Sequence, residues 1–392
     1  MKVACVSGFA GWWGNYPANV LDLEEGPSVG GGEENFLRCA AGLVGLGHQV
    51  TAWHCGEAGN WRGVEFRDPS SDLSGAIVTE PWDAVVAWTT LRPLEWTPAG
   101  TKRIYVQQLN DLIEPGQWDC VDCVVSPSES HAQQLPNWGW RGRNYAVVHN
   151  GLDPWKYGED WGIRGREVIP VPRPWAERPM DVGYWSSPDR GLHHLLRAWP
   201  EVKQAVPGAR LHVFYELDRL LKNAVGCPGP LGDRIRLLAE LLPRAKADKS
   251  IIFHGSVPRN ALRKIQVECR VMAYPYVPIS WCEGFCGSLN QGVAAGCHCL
   301  ATPLDALPSL YGDAVTWMPP EPEKLQAVLP HYIIRALLDE PWSRTRLEAA
   351  EPHRYRFTWE RAAKEFEAAC RGESWRLTSP TADLGFNPME AR

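Results

Sequence analysis

The stretch VMAYPYVPISWCEGFCGSLNQGVAAGCHCLA, Val271–Ala301, reads as strand, loop, helix, strand. Val271–Tyr274 is a short apolar run stopped by Pro275, Leu289–Ala295 has helical character, and Cys297–Ala301 is a second apolar run after Gly296. A strand, a helix-length segment and another strand make one turn of a parallel α/β sheet. One carboxylate, Glu283, stands among glycines, aromatics and thiols just before the helix, and an amide, Gln291, stands eight positions later. Residues Gly284 to Ser288 precede the helix, so their backbone N–H groups are set to face an anion with the helix dipole behind them.

The alternation continues on both sides of this stretch. Upstream, Asp181–Trp185, Arg210–Tyr215 and Ser250–His254 read as strands, with Leu192–Lys203, Ile235–Leu242 and Ala261–Glu268 as helices between them. Downstream, Glu323–Leu338 and Trp359–Arg371 are helical and close the half. The chain's first third shows the same pattern. Lys2–Ser7 is a strand, a long loop carrying Trp12 and Trp13 follows, and Gly30-Gly31-Gly32-Glu33-Glu34 opens a helix with Phe36, Leu37, Ala40, Leu43 and Val44 on its apolar face. Strands are expected at His48–Trp53, Ala84–Trp88, Arg103–Gln107, Cys120–Ser126 and Tyr145–His149. Between the halves, from Gly158 to Pro179, the composition turns to Gly, Pro, Arg and Trp without periodicity, as in a linker or insert.

The expected fold class is therefore α/β, with two Rossmann-like doubly wound domains facing each other across a cleft. In such sheets ligands lie outside the carboxyl ends of the strands. The expected divisions are 1–157, a linker at 158–178, a second domain at 179–352, a C-terminal helix at 353–372 that packs back toward the first domain, and a tail at 373–392.

Composition narrows the function classes. The chain has 392 residues, enough for two to three domains, and its formal net charge of −6 argues against nucleic-acid binding by general electrostatics. Twenty tryptophans exceed what a core of this size calls for and leave aromatic faces for stacking on sugars or bases. The opening Met-Lys-Val-Ala-Cys-Val-Ser-Gly is too short an apolar run for a secretory signal, and no stretch approaches a membrane span. The twelve cysteines are accordingly read as reduced thiols of a cytoplasmic protein. Two groups have spacings that invite zinc, Cys120 with Cys123 and Cys282, Cys286, Cys297 and Cys299 with His298. The first lies in an apolar strand and the second is split between a helix and a strand, so both are read as core thiols. The loop after the first strand lacks the G-x-G-x-x-G of a dinucleotide-binding dehydrogenase, and no G-x-S-x-G supplies a hydrolase nucleophile.

The Glu283-to-Gln291 segment resembles the E-x7-E signature of retaining glycosyltransferases with the GT-B fold, the group 1, family 4-like enzymes. The resemblance extends in order through Gly30-Gly31-Gly32-Glu33-Glu34, Val-Val-Ser-Pro-Ser-Glu at 124–129 and His-Asn-Gly-Leu-Asp at 149–153. It continues through Ser-Ser-Pro-Asp-Arg-Gly-Leu at 186–192, His-Gly-Ser-Val at 254–257 and Arg-Phe-Thr-Trp-Glu at 356–360. It implies transfer of a sugar from a UDP- or GDP-sugar to a hydroxyl acceptor with retention at the anomeric carbon. Glu283 would then contact the donor sugar hydroxyls, and Gln291, in place of the second acid, the ribose. Arg190 falls where the family has a diphosphate-binding cation, and Trp185 where it usually has another. Donor contacts are further implied for Gly31, Gly32, Ser186, Ser187, Phe285, Cys286, Gly287, Ser288 and Leu289, and for the nucleobase at Ser256 and Val257. The acceptor wall is expected at Trp12, Trp13, Trp88, Gln107, Gln108, Asn110 and Asp111. Glu283 and Arg190 are the catalytic pair, the nucleotide-sugar is a co-substrate, and, with no Asp-x-Asp in the chain, no metal is expected. Two further readings stand beside this one. One is a phage-type enzyme that glycosylates hydroxymethylated bases in DNA, where a flipped base would meet the tryptophans. The other is a nucleotide-sugar-binding paralogue without catalysis, suggested by Gln291 and Trp185.

Overall fold

The computed structural model of the chain describes residues 1–8, 30–54, 58–68, 70, 72–108, 116–153, 156–157, 173–224, 226–278 and 283–378. Among the described residues fifteen strands follow in chain order. They are β1 (Lys2–Ser7), β2 (Gln49–Trp53), β3 (Gly59–Trp61), β4 (Val64–Arg67), β5 (Ala84–Trp88), β6 (Lys102–Val106), β7 (Cys123–Ser126) and β8 (Asn144–Val147). Then come β9 (Asp181–Tyr184), β10 (Arg210–Phe214), β11 (Ile251–Gly255), β12 (Val271–Tyr274), β13 (His298–Ala301), β14 (Val315–Trp317) and β15 (Arg376–Leu377). The chain divides into two compact units, Met1–Gly151 with Phe357–Ala391, and Leu152–Arg356.

In the first unit the nine-stranded sheet has the order β15-β8-β7-β6-β5-β1-β2-β4-β3. It is parallel except at its rims, where β3 runs against β4 and β15 against β8. Its central strands are apolar on both faces, as a sheet covered by helices on both sides requires. The Gly31–Gly45 helix lays Phe36, Leu37, Ala40 and Leu43 on one face, and the Trp359–Arg371 helix lies beside it with Ala362, Phe366 and Ala369 in the same core. Gly42 permits that approach, since a Cβ there would overlap Ala363. Gly31 and Gly32 form the first helical turn, where amide groups lack intrahelical partners, and Glu33 and Glu34 complement the positive end of the helix.

In the second unit all six strands are parallel, in the order β11-β10-β9-β12-β13-β14. The order reverses direction at the neighbours β9 and β12, which places the loops after these two strands on either side of a switch point. One face of the sheet buries Val182, Tyr184, Leu211, Val213, Val271 and Ala273 against the Leu192–Ala205, Gly229–Ala247 and Pro322–Leu338 helices. The Gly229–Ala247 helix begins six residues before the expected Ile235, because Pro230 is tolerated in a first turn. Among the described residues no helix is long and apolar enough to cross a membrane.

Candidate functional site

The loops after β9 and β12 meet because of one glycine. Gly191 has φ near 102°, and a Cβ there would overlap the carbonyl of Pro275. Only glycine allows the β9 loop to lie against the β12 loop at this point. The contact carries Arg190, the residue before Gly191, to Glu283. Arg190 Nη1 donates to Glu283 Oε1, so two residues ninety-three apart in sequence form an ion pair.

Glu283 is 1% exposed, and its partner's side chain is 29% exposed. Tyr274, the last residue of β12, donates its hydroxyl to the same Oε1 at 2.9 Å. The Glu283 backbone is fixed as well: its N–H donates to Asp305 Oδ2 at 2.8 Å, and its carbonyl accepts from Ala306 N–H at 3.2 Å. Burial pushes the Glu283 carboxyl above its ordinary range, and the Arg190 charge and the Tyr274 hydroxyl oppose that rise. Tyr274 is itself held far above a normal phenol by burial and by the neighbouring carboxylate, so it stays a donor. The result is a buried acid on a short leash, with one oxygen held by a guanidinium that is partly open to solvent.

The Gly287–Ala294 helix starts four residues after this acid. Cys286 caps it in a left-handed conformation, φ 64°, with no side-chain cap on the first amides. Tyr311 holds the turn from behind, its hydroxyl in reach of the carbonyls of Phe285 at 3.0 Å and Cys286 at 3.1 Å. Two non-glycine residues with positive φ, Cys286 and Asp305, flank the acid, a pattern typical of a functional turn.

The other donor-side expectations divide. Trp185, where the resemblance places a second cation, is a buried strut. Its indole donates to Ser288 O at 2.9 Å while Ser288 Oγ donates to Trp185 O at 3.1 Å, tying the β9 loop to the helix start. The ring fills space left by Gly183, where a Cβ would overlap it. Gln291 accepts at Oε1 from Gln266 Nε2 at 3.0 Å, and Gln266 Oε1 accepts from the Tyr157 hydroxyl at 3.1 Å. Its amide oxygen is thus engaged within the unit. Ser186 is buried, Ser187 donates to Asp189, and Leu289 and Phe285 are core residues. Ser256 is exposed and Val257 half-buried, in the turn after Gly255. Sequence reading missed Tyr274, Asp305 and Tyr311, none of which belongs to a local motif.

On the acceptor side, Trp88 corrects the expectation. It is 0% exposed, donates from its indole to Asn35 Oδ1 at 2.8 Å, and packs 5.0 Å from Phe36. It is a core residue of the first unit, not a wall for a ligand. Gln107 is likewise buried, whereas Gln108 accepts from Asn150 Nδ2 at 3.2 Å. Trp12, Trp13, Asn110 and Asp111 lie outside the described residues. So does most of the expected linker, together with Cys282 of the second thiol group. Among the described residues no three His, Cys, Asp or Glu side chains gather as a metal cluster. Cys123 sits in the first core with Cys5, Cys39 and Cys370, and Cys297 points its thiol at the Gln266 and Cys269 carbonyls.

Two mostly parallel sheets, each helix-covered, with an acid–arginine pair at a switch point, define the fold class: the chain has the GT-B fold of two Rossmann-like domains. Solved structures agree over nearly its whole length. A glycosyltransferase from Rickettsia africae matches with a TM-score of 0.65 at 13% identity, covering 95% of this chain and 98% of that one. The Anabaena protein HepE, in complex with UDP-glucose, matches with a TM-score of 0.63 at 16% identity, covering 95% and 100%. WaaG, a glycosyltransferase involved in lipopolysaccharide biosynthesis, matches with a TM-score of 0.60 at 13% identity, covering 95% and 100%. No protein-family model matches the sequence, and no curated protein is significantly similar to it.

Proposed function

We propose that the protein is a retaining glycosyltransferase that moves a sugar from a UDP- or GDP-sugar to a hydroxyl acceptor without a metal ion. The observation that carries this reading is the Glu283–Arg190 pair at the carboxyl ends of β9 and β12, four residues ahead of a helix start. Such a site has what the transfer needs. Arg190 and the first amides of the Gly287–Ala294 helix take the diphosphate, and Glu283 accepts hydrogen bonds from the sugar hydroxyls. The bond from the anomeric carbon to the phosphate oxygen breaks, the acceptor oxygen bonds to the same face, and the departing phosphate oxygen takes the acceptor proton. No protein nucleophile enters that scheme. The second unit, Leu152–Arg356, holds the donor and the first the acceptor, with the Trp359–Arg371 helix completing the latter. The free thiols among the described residues suit a cytoplasmic enzyme, and the UDP-glucose bound by HepE puts that donor first in a screen.

The test is release of free UDP or GDP from a panel of nucleotide-sugars, with a carbohydrate acceptor library, read beside a thermal shift for each donor. The wild type is expected to turn over one donor, and Glu283→Ala to lose at least about a hundredfold in kcat, the scale of one lost transition-state contact. A donor that raises the melting temperature but is never turned over would make the protein a binding module instead.

A further inference from the structure

Trp185 leaves the expected diphosphate site one cation short, and Arg190 is offset by Glu283. A nucleoside diphosphate brings more negative charge than that pair can balance, and an uncompensated charge near a buried acid is costly. We propose that Arg234 is the second cation of the donor site, supplied by the Gly229–Ala247 helix in place of the one missing at Trp185. This assignment rests on the donor reading above.

Four observations lead to it. Arg234 Nη1 donates to the carbonyl of Asp189, the residue before Arg190, at 2.9 Å. The two guanidinium groups share one ring: Arg190 lies 5.8 Å and Arg234 5.6 Å from the centre of Tyr276. The helix that carries Arg234 is anchored next to it by Ile235 and, one turn on, by Leu238, both fully buried, so the guanidinium is presented from a fixed backbone. Among the described residues no carboxylate forms an ion pair with Arg234, which leaves its charge uncancelled beside a pair that is neutral in sum. The neighbouring histidine is no substitute. Burial above all, then His194 and Arg234, lowers His193 to about 3, so it is uncharged at neutral pH.

An arginine that merely caps a carbonyl would look similar in isolation. What separates the two roles is the ligand's second phosphate, because a structural cap does not distinguish a diphosphate from a monophosphate. Calorimetric titration of the full-length protein with UDP and UMP, and in parallel with GDP and GMP, reads this directly. Wild type is expected to favour the diphosphate, and Arg234→Gln to lose about tenfold or more for the diphosphate with little change for the monophosphate. Arg234→Lys, which keeps charge without the planar fork, is expected to fall between them. An unchanged diphosphate-to-monophosphate ratio in folded Arg234→Gln or Arg234→Lys protein overturns the assignment while leaving the donor reading intact. A wild type that binds none of the four nucleotides removes both.

Discussion

A carboxylate sealed from water is held against its own solvation, and Glu283 shows how far that can be taken. Its carboxyl is raised by burial and only partly recovered by Arg190 and Tyr274. The consequence for stability has a definite sign. In the pH range above the ordinary carboxylate value and below the raised one, the unfolded chain has lost a proton that the folded chain keeps. Stability therefore falls as pH rises through that range and stays lower above it. Glu283→Gln keeps the shape and removes the titration. Thermal unfolding from pH 4.5 to 7.5 is expected to show the variant equal to or above wild type at neutral pH, its advantage growing with pH, although it transfers no sugar. A wild type that gains on the variant with rising pH would mean that the Arg190 pair outweighs burial. Glu283 and Arg190 were legible through the resemblance, because each lies in a short segment that names it. Their supports were not. Asp305 reaches Glu283 from the loop after β13 and Tyr274 from the end of β12, and the partners of Trp185 and Gln291 are set by packing between elements that no local spacing encodes. The same blindness put Trp88 on a ligand wall: its polar tip is satisfied by Asn35 in the core, and a strand that is apolar on both faces gives no clue which tryptophans meet solvent.

Elements were read better than their edges. β1, β5, β12 and the Trp359–Arg371 helix agree end to end with the alternation of apolar runs and helical segments, because each has Gly, Pro or a charged residue against at least one end. The strands missed are β3, β4, β14 and β15, of two to four residues each, too short for a period to declare itself, and the helices Leu73–Thr79, Leu217–Ala224 and Glu340–Ala350 were missed as well. The glycines before helices proved ambiguous in the same way, and they separate by what surrounds them. Gly191 has both a positive φ and a neighbour in the way, whereas an added Cβ at Gly287 meets nothing within 4 Å. Gly287→Ala is thus expected to stabilise by about 0.5–1 kcal/mol, the usual gain over glycine in a helix. Gly191→Ala is expected to destabilise by about 1–3 kcal/mol from backbone strain, and more if Pro275 cannot move. Urea unfolding of the two variants checks the signs. If Gly287 also lies under the diphosphate, the alanine variant gains stability while its affinity for UDP drops, a combination that a purely structural glycine does not produce.

At the scale of the molecule, the chain builds one unit from both of its ends. The Trp359–Arg371 helix and β15 complete the sheet layer begun by β1, so the second unit is an insertion between parts of the first. Acid should not act on the two units alike. Burial lowers His54 of the first unit to about 4, and His193 and His298 of the second to about 3. The charges of Arg346 and Arg335 oppose a proton on His298 further, and its ring sits between Ser343 at 2.8 Å and Thr316 at 2.9 Å. Below the ordinary histidine value near 6.5 the unfolded chain gains protons that these folded rings refuse, so each ring withdraws about 1.4 kcal/mol per pH unit until its own lowered value is reached. Two such rings burden the second unit, where burial also lowers His194, His254 and His353, and one the first. Calorimetry between pH 7 and 4.5 is expected to show the second unit's transition moving to lower temperature faster than the first's. His298→Gln, which retains a hydrogen-bonding side chain but cannot take up a proton in this range, identifies that transition by reducing its slope. If the variant leaves every slope unchanged, His298 is protonated in the folded state and its enclosure by Ser343 and Thr316 does not hold in solution.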